Sequence, residues 1–176
     1  MRRLFLFMVS YVIFALPQLL FAQNSGSVNL NVVISQVQSL TINELQDNVN
    51  LRFSHREDFT RGVSINEQGH LNIFSSGRFV VKVSAQSDLV SPGNGKIPAS
   101  TIAVTPTMSA GAPVPGLVTG SQVRLSPSEP KTIIKSPTHG TLATTFDVMY
   151  QASGEGYAQL EDGTYRTTVV YTIEVE

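Results

Sequence analysis

Cysteine is absent from all 176 residues, and so is tryptophan. Without thiols the chain has no disulfide framework, no thiolate metal site and no thiol nucleophile. Its stability has to come from an apolar core and from backbone ladders. Beyond the first 22 residues no stretch repeats its apolar positions at helical spacing over the length a helix needs. Charge is sparse: Asp, Glu, Lys and Arg make up 14% of the chain, and the basic residues from Arg52 to Arg166 are scattered singly. A nucleic-acid surface needs them clustered, so nucleic acid is not an expected partner. No nucleophile elbow, zinc-protease pair, phosphate-cradling glycine loop or EF-hand spacing occurs either. No catalytic residue is therefore expected.

The chain starts with the pattern of a secretory signal. Arg2 and Arg3 precede an apolar run from Leu4 to Leu16, and Leu20-Phe21-Ala22 ends in a small residue suited to cleavage. Pro17 and Gln18 interrupt the run before it is long enough to anchor in a bilayer. The reading is a signal peptide at 1–22, a single domain at 23–176, and no transmembrane segment after cleavage. The remaining 154 residues carry ten Lys and Arg against 13 Asp and Glu, a formal charge of −3. A domain of about 150 residues buries roughly 68–70% of its unfolded surface, enough to hold together without staples.

Alternation of period two runs through this domain. Val28, Leu30, Val32 and Ile34 form the first such run, followed by Leu40 and Ile42, then Val49, Leu51 and Phe53. Val63 and Ile65 lead into Glu67-Gln68-Gly69, which reads as a hairpin turn returning through Leu71 and Ile73. Phe79, Val81, Val83 and Ala85 alternate with Val80, Lys82 and Ser84; Pro92-Gly93-Asn94-Gly95 is a turn; Ile102 and Val104 follow. Six of the nine prolines lie between 106 and 137, which predicts loops and edge strands anchored by Val123, Leu125, Ile133 and Ile134. Phe146, Val148 and Tyr150 precede the last run, from Gly163 to Glu176, with Tyr165, Thr167, Val169, Tyr171, Ile173 and Val175 on one face. Its other face is only mildly polar, which predicts a central strand. About nine strands in all predict an all-β fold, a single antiparallel β-sandwich of Ig-like or pilin-like layout.

The candidate sites are few. His55, Glu57, Asp58 and His70 supply donor types for a mixed metal site, and Asp88, Asn94, Asp147, Glu161 and Asp162 supply oxygens of the kind calcium takes. Neither set has a diagnostic spacing, so no metal and no cofactor are expected. His139 reads as a turn residue. Phe59 and Tyr157 are the rings expected outside the core, and with Asn94 they are the candidates for contact with a cell-wall or extracellular glycan. Val28, Leu30, Val32 and Ile34 read as a strand that pairs at home or serves as a donor to a neighbour, backbone pairing giving affinity and alternate side chains filling pockets.

Three stretches carry a family resemblance: Val28 to Ile42; Gly62-Val63 through Leu71-Asn72-Ile73 and Phe79-Val80-Val81-Lys82-Val83 to Ile97-Pro98-Ala99-Ser100; and Gly163-Thr164-Tyr165 to Thr172-Ile173. Together they resemble secreted bacterial β-sandwich surface proteins, both the WxL cell-wall-binding domains and the spore-coat-U or fimbrial-subunit-like domains. The Trp-x-Leu motif of the first group and the disulfide common in pilins have no counterpart here, so no site residue carries over. The resemblance implies a non-enzymatic structural or adhesive protein, fimbria-like or coat-like, in the periplasm, at the cell surface or outside the cell. Its partners would be copies of itself, other surface proteins or a cell-wall glycan. A hydrolase is the remaining alternative.

Overall fold

The computed structural model describes residues 25–109, 114–138 and 140–176. The expected signal peptide and His139 lie outside the described residues. The chain divides into two units, Met1–Ile34 and Ser35–Glu176. In the first, residues 25–34 have no regular secondary structure and are exposed throughout. The strand expected from Val28 to Ile34 is therefore not formed. Its alternation is real, but no ladder partner takes up its backbone groups.

The second unit is all-β with antiparallel sheets. Its described residues form eleven strands, where the spacing predicts about nine: β1 (Gln38–Ile42), β2 (Val63–Ser75), β3 (Phe79–Ala85), β4 (Leu89–Val90), β5 (Lys96–Ile97), β6 (Ile102–Met108), β7 (Val118–Thr119), β8 (Val123–Arg124), β9 (Lys131–Ser136), β10 (Thr141–Ala152) and β11 (Val169–Val175). One sheet has the order β1-β2-β10-β6-β8, a second β11-β3-β9-β7, and β4 pairs with β5, with Val90 of β4 also bridged to Arg166. Every pairing is antiparallel. The Pro-rich region supplies β7 and β8, each two residues long and at a sheet end, because proline cannot donate to a ladder.

Alternate residues of both large sheets meet in one apolar cluster. Leu71 and Ile73 of β2, Phe79, Val81 and Val83 of β3, Val104 of β6, and Phe146 and Val148 of β10 are fully buried. Two departures from strict alternation shape this core. In β9 the register slips opposite Val81 and Lys82, so the consecutive Ile133 and Ile134 are both buried. In β2 the register slips where Leu71 pairs with Phe146 but Glu67 with Val148. Glu67-Gln68-Gly69 is thus no hairpin turn: β2 runs through it as one 13-residue strand with a bulge. Gly69 takes a left-handed φ of 60°, as the bulge requires, and this turns the next residue, His70, inward until it is 2% exposed.

Two further expectations change. Val49, Leu51 and Phe53 form no strand, although all three pack partly buried against the core. The C-terminal strand starts at Val169, and it lies at a sheet edge with β3 as its neighbour instead of in the centre. Mild polarity on both faces reports solvent on one face and a half-covered core on the other, and says nothing of lateral neighbours.

Truncating Phe146 to Ala should cost about 3–5 kcal/mol, as for other buried rings, whereas Leu142→Ala on the same strand, 82% exposed, should stay within about 0.5 kcal/mol. Urea unfolding measures both; equal losses would contradict this assignment of the core.

Candidate functional site

β1 and β11 are the ends of different sheets that come near one another. Among the described residues neither has a second strand partner. Their inward side chains show the consequence. Tyr171 and Ile173 pair with Val83 and Val81, which are fully buried, yet Tyr171 and Ile173 are themselves only half-buried, as is Leu40 of β1. The core is thus uncovered along this border. Sheet edges are ordinarily guarded by charge or proline. Here β1 has neither, and the outer face of β11 carries one charge, Glu174, held by Lys82 at 2.6 Å beside an exposed Val170.

The chain reaches β1 through Gln36 and Val37, which are fixed to the β2–β3 turn. The Val37 amide donates to Ser76 Oγ at 2.8 Å, the Ser76 amide donates to the Val37 carbonyl, and Gln36 Nε2 donates to the Arg78 carbonyl at 3.1 Å. The Glu176 amide donates to that same carbonyl. The entry to β1 and the end of β11 therefore lie side by side. Upstream, Val28, Leu30, Val32 and Ile34 are 77–91% exposed, and Val33 is too. No Asp, Glu, Lys or Arg occurs from Gln23 to Asn43. An uncharged alternating segment of this kind pairs readily with any free strand edge.

Behind the border lies a polar chain, buried at His70 and Tyr150 and partly exposed at its two ends. Gln46, in the 3-10 turn Glu44–Gln46 after β1, places Oε1 3.0 Å from His70 Nδ1 and donates through Nε2 to the Gln68 carbonyl. His70 Nε2 lies 2.9 Å from the Tyr150 hydroxyl, which lies 2.6 Å from the Tyr171 hydroxyl. The imidazole stands edge-on to both phenol rings. Burial pushes the Tyr150 phenol up to about 12, pushes Tyr171 upward too, and pushes the His70 imidazole below its ordinary value. The sequence hinted at this trio only through Gly69-His70, the one place where β2 breaks alternation.

The other candidates are dispersed. Phe59 and Tyr157 do not project as sugar platforms: both pack on Phe53, at centroid distances of 5.4 and 5.0 Å. Tyr157 also bonds Thr101 Oγ1 through its hydroxyl at 2.5 Å, beside a shallow cleft that Lys96, Pro98, Glu155 and Leu160 line. Asn94 is exposed at the tip of the β4–β5 hairpin with a φ of 63°. Asp58 caps its own loop, accepting the Ser54 and His55 amides at 2.7 Å each, and these bonds hold its carboxyl below the usual range. Asp147 accepts from the Gly69 amide and from Ser109, and Asp88 from the Ala99 amide. Among the described residues no group of three or more His, Asp or Glu could hold a metal ion, and no helix is long and apolar enough to cross a membrane. No family model and no curated protein matches the sequence.

Removing the Tyr157 hydroxyl by Tyr157→Phe should cost about 1 kcal/mol, the ordinary net worth of one hydrogen bond, while Tyr157→Ala should cost about 3–5 kcal/mol through the lost packing on Phe53. Chemical denaturation of the two variants measures the difference, and equal small losses would mean the ring is not a packing element.

Proposed function

We propose that this is an exported, non-enzymatic structural protein, a β-sandwich whose copies assemble at the cell surface or outside the cell by strand addition. The supporting observation is a pair of complementary features in one chain: an uncovered β1/β11 border, and an exposed, uncharged, alternating segment at residues 28–34. Covering four Val, Leu and Ile side chains is worth about 6–12 kcal/mol gross, which is set against roughly 2–5 kcal/mol for ordering the segment and the cost of bringing two chains together. The N-terminal signal pattern supports export, and the placing of His55 on an exposed loop and His70 at a buried position supports the non-enzymatic reading.

Chain direction favours a second copy as the donor. A segment that ends at the entry to β1 could lie along β11 of its own chain only in the parallel sense, since β11 also runs toward that end. A segment from another copy can lie antiparallel, the more stable pairing and the sense of every ladder in this fold. The outer strand would then bury Val28, Leu30, Val32 and Ile34 against Val169, Tyr171 and Ile173. Resemblance to coat and fimbrial-subunit proteins points the same way. The glycan-binding alternative would have to use Phe59 and Tyr157, both of which pack on Phe53.

Sedimentation of the purified chain should show oligomers that grow with concentration. Val32→Asp and Ile34→Asp, at exposed positions, should weaken association at least about tenfold, the effect of losing 1.4 kcal/mol or more of docking energy, with no change in the midpoint of unfolding. A chain that is monomeric at high concentration, or variants that associate as the parent does, would overturn the proposal.

A further inference from the structure

The polar chain that runs Gln46, His70, Tyr150, Tyr171 has one allowed arrangement of hydrogens while the imidazole is neutral. Gln46 Nε2 is committed to the Gln68 carbonyl, so Gln46 Oε1 faces His70 and Nδ1 must carry the hydrogen. Nε2 is then an acceptor for the Tyr150 hydroxyl, whose oxygen in turn accepts from Tyr171. The chain joins four separate pieces of backbone: the turn after β1, the strand β2 that carries His70, the central strand β10 and the edge strand β11. A further bond, from the Asn43 amide to the His70 carbonyl at 2.9 Å, ties the end of β1 to the same residue. The imidazole thus links the turn after β1 and the edge strand β11 to sheet centre, while the Asn43 bond goes to the His70 backbone.

We propose that His70 is a proton-operated clamp on the β11 edge: protonating the imidazole reverses the hydrogen bonds that run through Tyr150 to Tyr171, places a charge behind that edge and loosens β11. A hydrogen on Nε2 meets the hydrogen that Tyr150 was donating. Tyr150 must swing its own toward Tyr171, and the Tyr171 hydrogen is expelled from the chain. The ring is 2% exposed, so the new charge also sits out of water. The titratable groups around it are Glu67 on β2, Asp147 and Tyr150 on β10, and Tyr171 on β11; the 3-10 turn adds an exposed Glu44. Glu67 is the one that draws the proton in, and it acts less strongly than burial opposes it. Asp147 is occupied by the Gly69 amide and Ser109. The sign follows. The unfolded chain takes up this proton near pH 6.5 and the folded chain at lower pH, so stability is complete above about 6.5 and falls as pH drops below it. The clamp stands on this geometry alone; that its release matters for docking rests on the proposed strand addition.

The test is hydrogen exchange on the full-length chain between pH 7.5 and 5.0, with protection factors corrected for intrinsic exchange, alongside 15N NMR of the His70 ring. The ring should be the Nδ1–H tautomer at pH 7.5. As it protonates, protection of the β11 amides should fall at least tenfold while Asn43, Val81 and Ile134 hold theirs. His70→Gln should remove that pH dependence. Should His70→Gln fail to fold, Tyr171→Phe cuts the last link and keeps the ring, and it should leave β11 weakly protected at every pH. Val32→Asp, impaired in docking with the clamp intact, should keep the parent profile. Protection unchanged while His70 titrates, a parent-like profile in His70→Gln or Tyr171→Phe, or its loss in Val32→Asp would each overturn the clamp.

Discussion

The ladder between β2 and β10 is the feature on which the rest of the structure depends. These are the two longest strands, 13 and 12 residues, and β10 carries β6 on its other edge. Their inward residues Leu71, Ile73, Phe146 and Val148 form the floor on which Phe79, Val81 and Val83 of the second sheet rest. With no disulfide and no tryptophan, nothing else of comparable size holds the chain together. Even the defect in this ladder has a use: the Gly69 bulge, fixed by Asp147 of the facing strand, delivers His70 to the interior.

The same ladder explains why the protein has an incomplete side. Sheet order radiates from β10 and β3 and stops at β1 and β11, which are half-covered on their inward faces. An edge with little charge and incomplete cover is costly, because it invites pairing with whatever strand is near. Upstream of β1 the same sequence carries an uncharged alternating segment, residues 28–34. A partly covered border and an uncharged alternating segment are each a liability alone, and the proposed strand addition would satisfy both.

Much of the core was legible from spacing. Phe79 to Ala85 and Phe146 to Ala152 alternate as their burial does, because a strand with one buried face cannot slip by a residue without exposing the whole set. What alternation cannot report is whether a strand finds a partner. Val28 to Ile34 has as clean a pattern as β3 and forms no ladder. Val49 to Phe53 packs on the core without one. The C-terminal strand looks like the organiser and proves to be an edge, since lateral neighbours leave no mark on side-chain period. The His70, Tyr150 and Tyr171 chain was hidden for a different reason: it needs a bulge to rotate one residue and three distant strands to converge, with sequence separations of 80 and 21 residues. A glycine before a histidine inside an apolar alternation was its only trace.

The central claim is that the leader of one copy lies antiparallel along β11 of another. Because the protein has no cysteine, two single-cysteine chains, Asn31→Cys and Thr172→Cys, can be mixed under mild oxidation without competing thiols. The account predicts a disulfide-linked heterodimer between these two chains and none when Arg56→Cys, in the exposed loop before β2, replaces Thr172→Cys. Equal cross-linking to both positions, or to neither, would contradict it.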